Sequence, residues 1–173
     1  GRVSQPRASS PARRLVMPSR WATEAELGPY YGQTAYGARN PFTALNTSQS
    51  EDGALVIADA PVYGFVHLLF IGDGDEIWSH PHNVIVAGRA SQVTVVETYA
   101  GRGKYFTNAV TEVFAADGAV VDHYKVQCES LEAFHVGTVQ FRQERSSSVI
   151  SGNISNGGAR DRHDHKAPVD GPG

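Results

Sequence analysis

The stretch "YFTNAVTEVFAADGAVVDHYKVQ", residues 105–127, decides the fold. It is rich in Val, Thr, Phe and Tyr, the residues that favour β-strands, and Asp117-Gly118 marks a turn near its middle. Its polar residues, such as Glu112 and Lys125, do not alternate cleanly with apolar ones. An ordinary sandwich strand, with one consistently apolar face, therefore does not explain this stretch.

A repeat of 28 residues runs through this part of the chain. When the sequence is shifted by one repeat, Ile85 falls on Val113 and Val93 on Val121. A second shift places Val113 on Phe141 and Val121 on Val149, which gives three copies, 77–104, 105–132 and 133–160. A fixed period of 20 to 50 residues in strand-rich sequence is typical of stacked coils.

Stacked coils also explain the irregular alternation. A coil turns corners, so the inward-facing positions are reset at each corner and no single period of two persists. Each strand then pairs with the equivalent strand one coil away, about 4.8 Å off. The sequence therefore predicts a β-solenoid in which the strand around Val113 lies between those around Ile85 and Phe141, all parallel.

Residues 1–38 differ from the remainder of the chain. They are rich in Arg, Ser and Pro without a sustained period, which predicts a flexible arm, with one helical turn from Thr23 to Leu27 that Gly28-Pro29 ends. After residue 40 the pattern predicts no helix of ordinary length, so the fold class is all-β. The predicted strands are 54–58, 64–71, 83–87, 91–99, 108–115, 119–128, 133–143 and 147–155.

Composition excludes several classes of protein. Hydrophobic residues make up 40% of the chain and charged residues 19%, as in a globular domain, and the net charge of -3 argues against nucleic acid or an anionic membrane as partner. No apolar run approaches the roughly 18 residues that span a bilayer. Cys128 is the only cysteine, which excludes a disulfide framework and favours a reducing compartment, the cytoplasm. The chain begins at Gly1 without a signal-peptide pattern, so we expect a processed chain or a fragment.

Five ordered blocks carry a resemblance to a known family. They are "NPFTALNTSQSEDGALVIA" (40–58), "VHLLFIG" (66–72), "YFTNAVTEV" (105–113), "VDHYKVQCESLEAFHVGT" (121–138) and "QFRQERSSS" (140–148). Over residues 40–158 the chain closely resembles the core of SufD-type proteins, of the SufB/SufD family of iron–sulfur cluster assembly. The resemblance implies a right-handed parallel β-helix, here a partial one over 39–173 that follows the arm at 1–38.

The same resemblance implies a function. It predicts a non-catalytic scaffold subunit that pairs with a SufB-type homologue and with the SufC-type ABC ATPase, in a SufBCD complex. No cofactor is expected to be bound permanently, although an iron–sulfur cluster could pass transiently through the complex. The family continues with more β-helix, a C-terminal helical region and a Cys-Ser-His-Gly-type segment. This sequence has none of these, and its end, "GGARDRHDHKAPVDGPG", drifts from the apolar strand expected there.

Asp122-His123 resembles an acid–base pair in sequence alone. Neighbours on a strand point to opposite faces, so we expect no catalytic pair and place His123 at the solvent side or at an interface. Cys128 is either a thiolate ligand for iron or sulfur or, more commonly, a small buried apolar residue. His135 lies seven residues further on, across a predicted corner, and a shared site with Cys128 stays open.

His80-Pro81-His82 gives the main alternative, since two His at i and i+2 could grip one metal, as in the first motif of cupins. That motif needs a Glu a few residues on, and Glu97 comes too late. Pro81 also removes a strand hydrogen bond between the two histidines. The alternative function is a β-helix or cupin-like metal-dependent enzyme acting on a small molecule or a sugar.

Other candidate sites are weak. A sugar-cleaving β-helix would need acidic and basic side chains aligned on neighbouring coils, and the repeat offers only Glu97 above Lys125. The tail sequence His163-Asp164-His165 is charged and is expected to be solvated. The acidic run 72–75, "GDGD", would repel phosphate, and no Walker motif is present. No catalytic residue is therefore predicted, and cofactor and metal ligands stay unassigned.

The sequence generates a prediction about association. A solenoid that lacks a cap exposes unpaired backbone groups and the apolar interior of its last coil. We expect residues 40–158, expressed alone, to be marginally stable and to associate edge to edge. Sedimentation of this fragment checks the prediction, and a compact, stable monomer at tens of micromolar, roughly the range where exposed edges aggregate, would contradict it.

Overall fold

A computed structural model describes residues 14–34, 40–157 and 160–166, and for 14–15 and 160–166 it describes the backbone alone. Two sheets face each other, and their strands are parallel except for one antiparallel edge strand. Sheet A has seven strands: six follow the order β1-β2-β5-β7-β9-β11, and the seventh, the short β4, pairs with β7. Sheet B has four strands in the order β10-β8-β6-β3. The strands are β1 Arg14–Pro18, β2 Ala54–Ala58, β3 Val66–Asp73, β4 Trp78–Ser79, β5 His82–Ala87, β6 Gln92–Arg102, β7 Phe106–Ala115, β8 Val120–Cys128, β9 Phe134–Gln143, β10 Ser148–Ser155 and β11 Arg160–Lys166.

The register confirms the predicted β-solenoid. In sheet A, Val113 of β7 pairs in parallel with Ile85 on one side and Phe141 on the other. In sheet B, Val121 of β8 pairs in the same way with Val93 and Val149. The three predicted copies therefore stack on one another at the 28-residue spacing of the sequence repeat. A further coil, made by β2 and β3, precedes the three predicted copies and stacks on β5 and β6.

Two elements differ from the sequence prediction. A helix, α2, occupies Pro41–Gln49, where no helix of ordinary length was expected. Its residues are weak helix formers, but Asn40 caps it by accepting a hydrogen bond from the Phe42 amide (2.9 Å). Strand β11 pairs in parallel with β9, where a solvated tail was expected. The backbone hydrogen bonds between paired strands do not depend on side-chain composition. The polar composition of this segment therefore did not predict a strand.

The N-terminal segment is built onto sheet A where a flexible arm was predicted. Strand β1 pairs antiparallel with β2, and the predicted helical turn is present as α1, Glu24–Leu27, with a capping box between Thr23 and Glu26. The residues that follow pack their side chains on the outer face of sheet A. Residues 1–13 and 35–38 of the predicted arm lie outside the described residues. In the contact between this segment and sheet A, Leu27, Tyr30 and Tyr31 pack on Leu55, Ile57, Val84, Val86 and Phe114.

The main core lies between the inner faces of the two sheets. Ile85, Val113 and Phe141 of sheet A pack against Val93 and Val121 of sheet B, and all are at most 5% exposed. Burying such a side chain stabilises the fold by roughly 1.5–3 kcal/mol. These residues lie near the corner where the chain passes from sheet A to sheet B. The other half of the interior is polar and is described below.

Glycines shape the opposite corner, where the chain returns from sheet B to sheet A. Gly72 and Gly101 lie side by side in register on β3 and β6. The ring of Tyr105 fills the space that their missing side chains leave, 2.9 Å from an ideal Cβ at Gly72. A Cβ at Gly101 would collide with the Gly72 carbonyl oxygen and with the Tyr105 hydroxyl. The close approach of two coils at this corner therefore requires glycine.

We predict that Gly101→Ala lowers the free energy of unfolding by about 3 kcal/mol, because a backbone carbonyl cannot yield to the new methyl group. Gly118→Ala is the control: Gly118 has φ +67° and open space around it, so it should cost only the backbone strain, about 1 kcal/mol. Urea denaturation measures both. Equal losses in the two variants would show that the corner tolerates a side chain.

Candidate functional site

Polar and ionisable side chains fill half of the solenoid interior. They come from both sheets and from the corner after β8, and each of them is at most 6% exposed. Buried ionisable groups at this density are uncommon, because each charge loses its hydration unless a partner replaces it. The members are Asn83, Glu97, Tyr99, Thr107, Thr111, His123, Lys125, Gln127, Glu129 and His135. We call this set the interior network.

Glu97 is the acceptor at the centre of the interior network. Its carboxylate accepts hydrogen bonds from the Thr111 hydroxyl (2.7 Å) and the Tyr99 hydroxyl (3.0 Å). His123 Nε2 lies 3.2 Å from Glu97 Oε1. Burial by itself raises the pKa of Glu97, but the charge of His123 and then that of Lys125 outweigh it and lower the pKa to about 2. Glu97 is therefore ionised in the folded protein at neutral pH.

Lys125 begins a second chain of hydrogen bonds. Its Nζ lies 2.5 Å from His135 Nε2, and His135 Nδ1 lies 2.8 Å from Glu129 Oε2. Because an ammonium group can only donate, Nε2 of His135 accepts and Nδ1 carries the proton that is donated to Glu129. The Thr107 hydroxyl donates to the other oxygen of Glu129 (3.1 Å). Lys125 also lies over the ring of Tyr99, 4.9 Å from its centroid.

The interior network joins coils and sheets at once. Glu97 on β6 and Lys125 on β8 are register partners in successive coils of sheet B, and Thr111 and His135 reach them from β7 and β9 of sheet A. The charges of opposite sign lie next to each other, which offsets part of the cost of burial. Since these side chains are closed off from solvent, the arrangement fixes coil register and offers no direct access to a substrate.

The structure separates Asp122 from His123, as the sequence predicted. Asp122 lies on the outer face of sheet B, half-buried, whereas His123 is fully buried inside the solenoid. The prediction that His123 lies at the solvent side or at an interface was wrong. Its Nδ1 contacts the Ser151 hydroxyl (3.1 Å) one coil further on. The predicted interior is apolar, whereas the inward-facing positions of this part of the solenoid are polar.

Cys128 and His135 do not form a shared site. Cys128 is exposed on the outer face of sheet B, so the expectation of a buried apolar residue was wrong. His135 points into the interior, where Lys125 and Glu129 hold it. The predicted ladder of Glu97 above Lys125 is present, but it lies inside the solenoid and not on a binding face.

His80 and His82 do not share a metal site. His82 is fully buried, and its Nε2 lies 2.8 Å from Glu112 Oε1. Glu112 also accepts hydrogen bonds from the amide and hydroxyl of Thr34. Burial raises the pKa of Glu112, but the bonds from His82 and Thr34 outweigh it, so the pKa is lowered. Burial lowers the pKa of His80, which contacts aromatic rings instead.

Glu112 is the partner that sequence reasoning missed for His82. The repeat contains the signal, because β5 and β7 are in register and Glu112 lies two residues beyond the position that pairs with His82. Within the described part of the chain, no group of three or more His, Cys, Asp or Glu side chains is placed to hold a metal ion. The side chains of His163, Asp164 and His165 lie outside that part.

An apolar groove of about 1220 Å³ runs beside α2 on the outer face of sheet A. Phe42 and Leu45 of α2 form one wall, and Phe106, Phe134 and Val136 lie in the groove as well. Trp78 is 68% exposed at its margin. The groove has the size of a small-molecule or peptide site, and Glu76, Lys104 and His135 are the ionisable residues of its lining.

Comparison with known proteins identifies the family. Residues 70–173 match the SufBD core domain of SUF-system iron–sulfur cluster assembly. The chain is 29% identical over 152 residues to an iron–sulfur cluster assembly SufBD family protein of Synechocystis, covering 80% of this chain. It is 31% identical over 88 residues to the chloroplastic protein ABCI7 of Arabidopsis thaliana, covering 49% of this chain. The chain belongs to the SufBD family, as the resemblance predicted.

The match covers only part of those relatives. The chain spans 33% of the length of the Synechocystis protein and 18% of that of the Arabidopsis protein. In the part of the chain that the structure describes, no helix has the length and apolar character needed to cross a membrane.

We predict that Glu97→Gln lowers the free energy of unfolding by about 3 kcal/mol, because it removes a negative charge that interacts with the buried charges of His123 and Lys125. Lys125→Met should cost about as much for the converse reason. The double variant should lose less than the sum of the two by more than about 1 kcal/mol. Urea denaturation at neutral pH measures the cycle, and simple additivity would show that the two side chains act independently.

The pH dependence of stability gives a second prediction. The pKa of Glu97 falls from 4.5 to about 2 on folding, so between these values the unfolded chain takes up a proton that the folded protein does not. The contribution of about 3 kcal/mol is complete above pH 4.5 and lost as pH falls through about 2. Wild type should therefore lose stability over this window faster than Glu97→Gln. Thermal denaturation measures the stability of both proteins at each pH. If wild type and Glu97→Gln lost stability in parallel as the pH fell, Glu97 would not be the group responsible.

Proposed function

We propose that this chain is the core of a scaffold subunit in iron–sulfur cluster assembly, which holds partner proteins and does not itself turn over a substrate. The observation that carries the proposal is membership of the SufBD family over residues 70–173. The partners are a SufB-type homologue and the SufC-type ATPase, in a SufBCD complex. The single cysteine suits a reducing compartment such as the cytoplasm.

The interior of the solenoid supports a scaffold in preference to an enzyme. The ionisable side chains are paired with one another inside the coils, as with Lys125 and His135, and the one cysteine lies outside, away from them. A scaffold needs rigid, well-separated faces, and the in-register ladders of the two sheets supply them. A cluster would be cargo of the assembled complex, with no ligands assigned to it in this chain.

The alternative enzyme has less support. The cupin fold is an antiparallel jelly roll, whereas β5, β7 and β9 pair in parallel. A metal held by His80 and His82 is disfavoured because Glu112 and Tyr31 enclose His82. A sugar-cleaving site would need carboxylates on an open face, and Glu97 and Glu129 are buried.

Co-purification tests the proposal. We expect the tagged full-length parent protein, isolated from its own cells under reducing conditions, to retain a SufB-type protein and an ABC ATPase, which mass spectrometry identifies. Metal analysis of the same protein after separation from its partners should give no stoichiometric mononuclear metal. Isolation without either partner, or with one tightly bound metal ion per chain, would favour the enzyme alternative.

A further inference from the structure

The groove beside α2 contains a column of aromatic side chains. Trp78 of β4, Phe106 of β7 and Phe134 of β9 are register partners and recur at the 28-residue repeat. Stacking therefore places them above one another on the outer face of sheet A. Trp78 is 68% exposed and Phe134 41%, and Phe42 and Leu45 of α2 form the facing wall. Large apolar side chains exposed together in this way mark a binding surface.

The shape of the lining favours a flexible apolar chain. Trp78 and Phe106 meet edge to face, with their ring centroids 5.6 Å apart and their planes at 75°. His80 meets Trp78 in the same way, at 65°, so these rings form no parallel slot for a flat ring system. Strand β7 is paired on both sides, with β5 and β9, and so offers no free edge to an extended peptide. An alkyl chain needs neither feature, because hydrophobic contact has no preferred direction.

Two charges of opposite sign, on Glu76 and Lys104, lie at one end of the groove. These residues come two positions before Trp78 and Phe106, and the Glu76 amide donates to the Lys104 carbonyl oxygen (2.7 Å). Both side chains line the groove and both residues are exposed. In the part of the chain that the structure describes, neither side chain forms an ion pair. A ligand head that holds an anion next to a cation is therefore complementary to this end of the groove.

We propose that the groove binds a single-chain zwitterionic amphiphile, of the class of lysophospholipids with an ammonium head, as a monomer and not as part of a bilayer. The alkyl chain lies along the aromatic column, against α2. The phosphate of the head meets Lys104, and its ammonium group meets Glu76 and the exposed ring of Trp78, where a cation–π contact adds to the attraction. This inference is independent of the proposed role in cluster assembly, because binding is measured on the isolated chain.

Calorimetric titration of the full chain tests the inference with three dodecyl amphiphiles, each below its micellar concentration. Dodecylphosphocholine is zwitterionic, dodecanoate is anionic and dodecyltrimethylammonium is cationic. We expect dodecylphosphocholine to bind one per chain with a dissociation constant on the order of 100 µM, at least about threefold more tightly than either charged analogue. Decylphosphocholine, which is two methylene groups shorter, should bind about tenfold more weakly.

A variant in the aromatic column locates the alkyl chain. Phe134→Gln should weaken the binding of dodecylphosphocholine at least about fivefold, because it removes apolar surface from the groove. Leu131→Gln is the matched control, since Leu131 is 78% exposed in the turn between β8 and β9 and does not line the groove. It should leave the affinity unchanged.

Variants at the charged end locate the head. Lys104→Ala should weaken the binding of dodecylphosphocholine and of dodecanoate by about threefold, the effect of an exposed charge. Glu76→Gln should weaken the binding of dodecylphosphocholine by about as much and strengthen that of dodecanoate. Arg102→Ala is the control for net charge, because Arg102 does not line the groove.

Trp78 supplies a readout that needs no substitution in the groove. In Trp21→Phe it is the only tryptophan of the chain, and its emission should shift to shorter wavelength as dodecylphosphocholine covers the ring. An unchanged emission, or no saturable binding below about 1 mM, would overturn the inference, even if Phe134→Gln failed to fold. So would equal affinity for the three heads, which would show unspecific apolar association, and so would binding to phosphatidylcholine vesicles in preference to the monomer.

Discussion

The structure depends on the in-register stacking of one coil upon the next. From β2 onward, the strands of sheets A and B pair with the equivalent strands of neighbouring coils, so Val113 meets Ile85 and Phe141 at a constant offset along the chain. This stacking places like positions above like positions. The apolar core, the interior network and the outer face of sheet B are all columns that it generates.

The fold could be predicted because the repeat is carried by apolar residues whose spacing survives at every coil. Ile85, Val113 and Phe141 recur at one interval, and stacking is the arrangement that buries them together. Helix α2 could not be predicted in the same way. Its stability comes from tertiary contacts, with Asn46 Nδ2 donating to the Pro81 and Asn108 carbonyl oxygens (3.0 and 2.8 Å), and not from helix propensity.

The candidate site was predicted less well, for a physical reason. The repeat correctly aligns Glu97 with Lys125, but alignment does not say which face a residue occupies. Polar residues were assigned to the outside on the general rule that charges avoid cores. Here His123 lies beside Glu97 in the interior, and His135 joins Lys125 to Glu129, while Cys128 and Ile154 face outward. A corner that resets the inward positions cannot be located without the register.

The interior network also governs how the molecule comes apart. In most repeat proteins each unit contacts only its neighbours through apolar surfaces, so terminal units can fray one at a time. Here Lys125 of one coil is bonded to His135 of the next, and Glu97 of the preceding coil depends on the charge of Lys125. Loss of one coil would remove the opposite charges that stabilise the charged side chains buried in the other coils. These three coils therefore open and close as one cooperative unit, although the chain is modular in sequence.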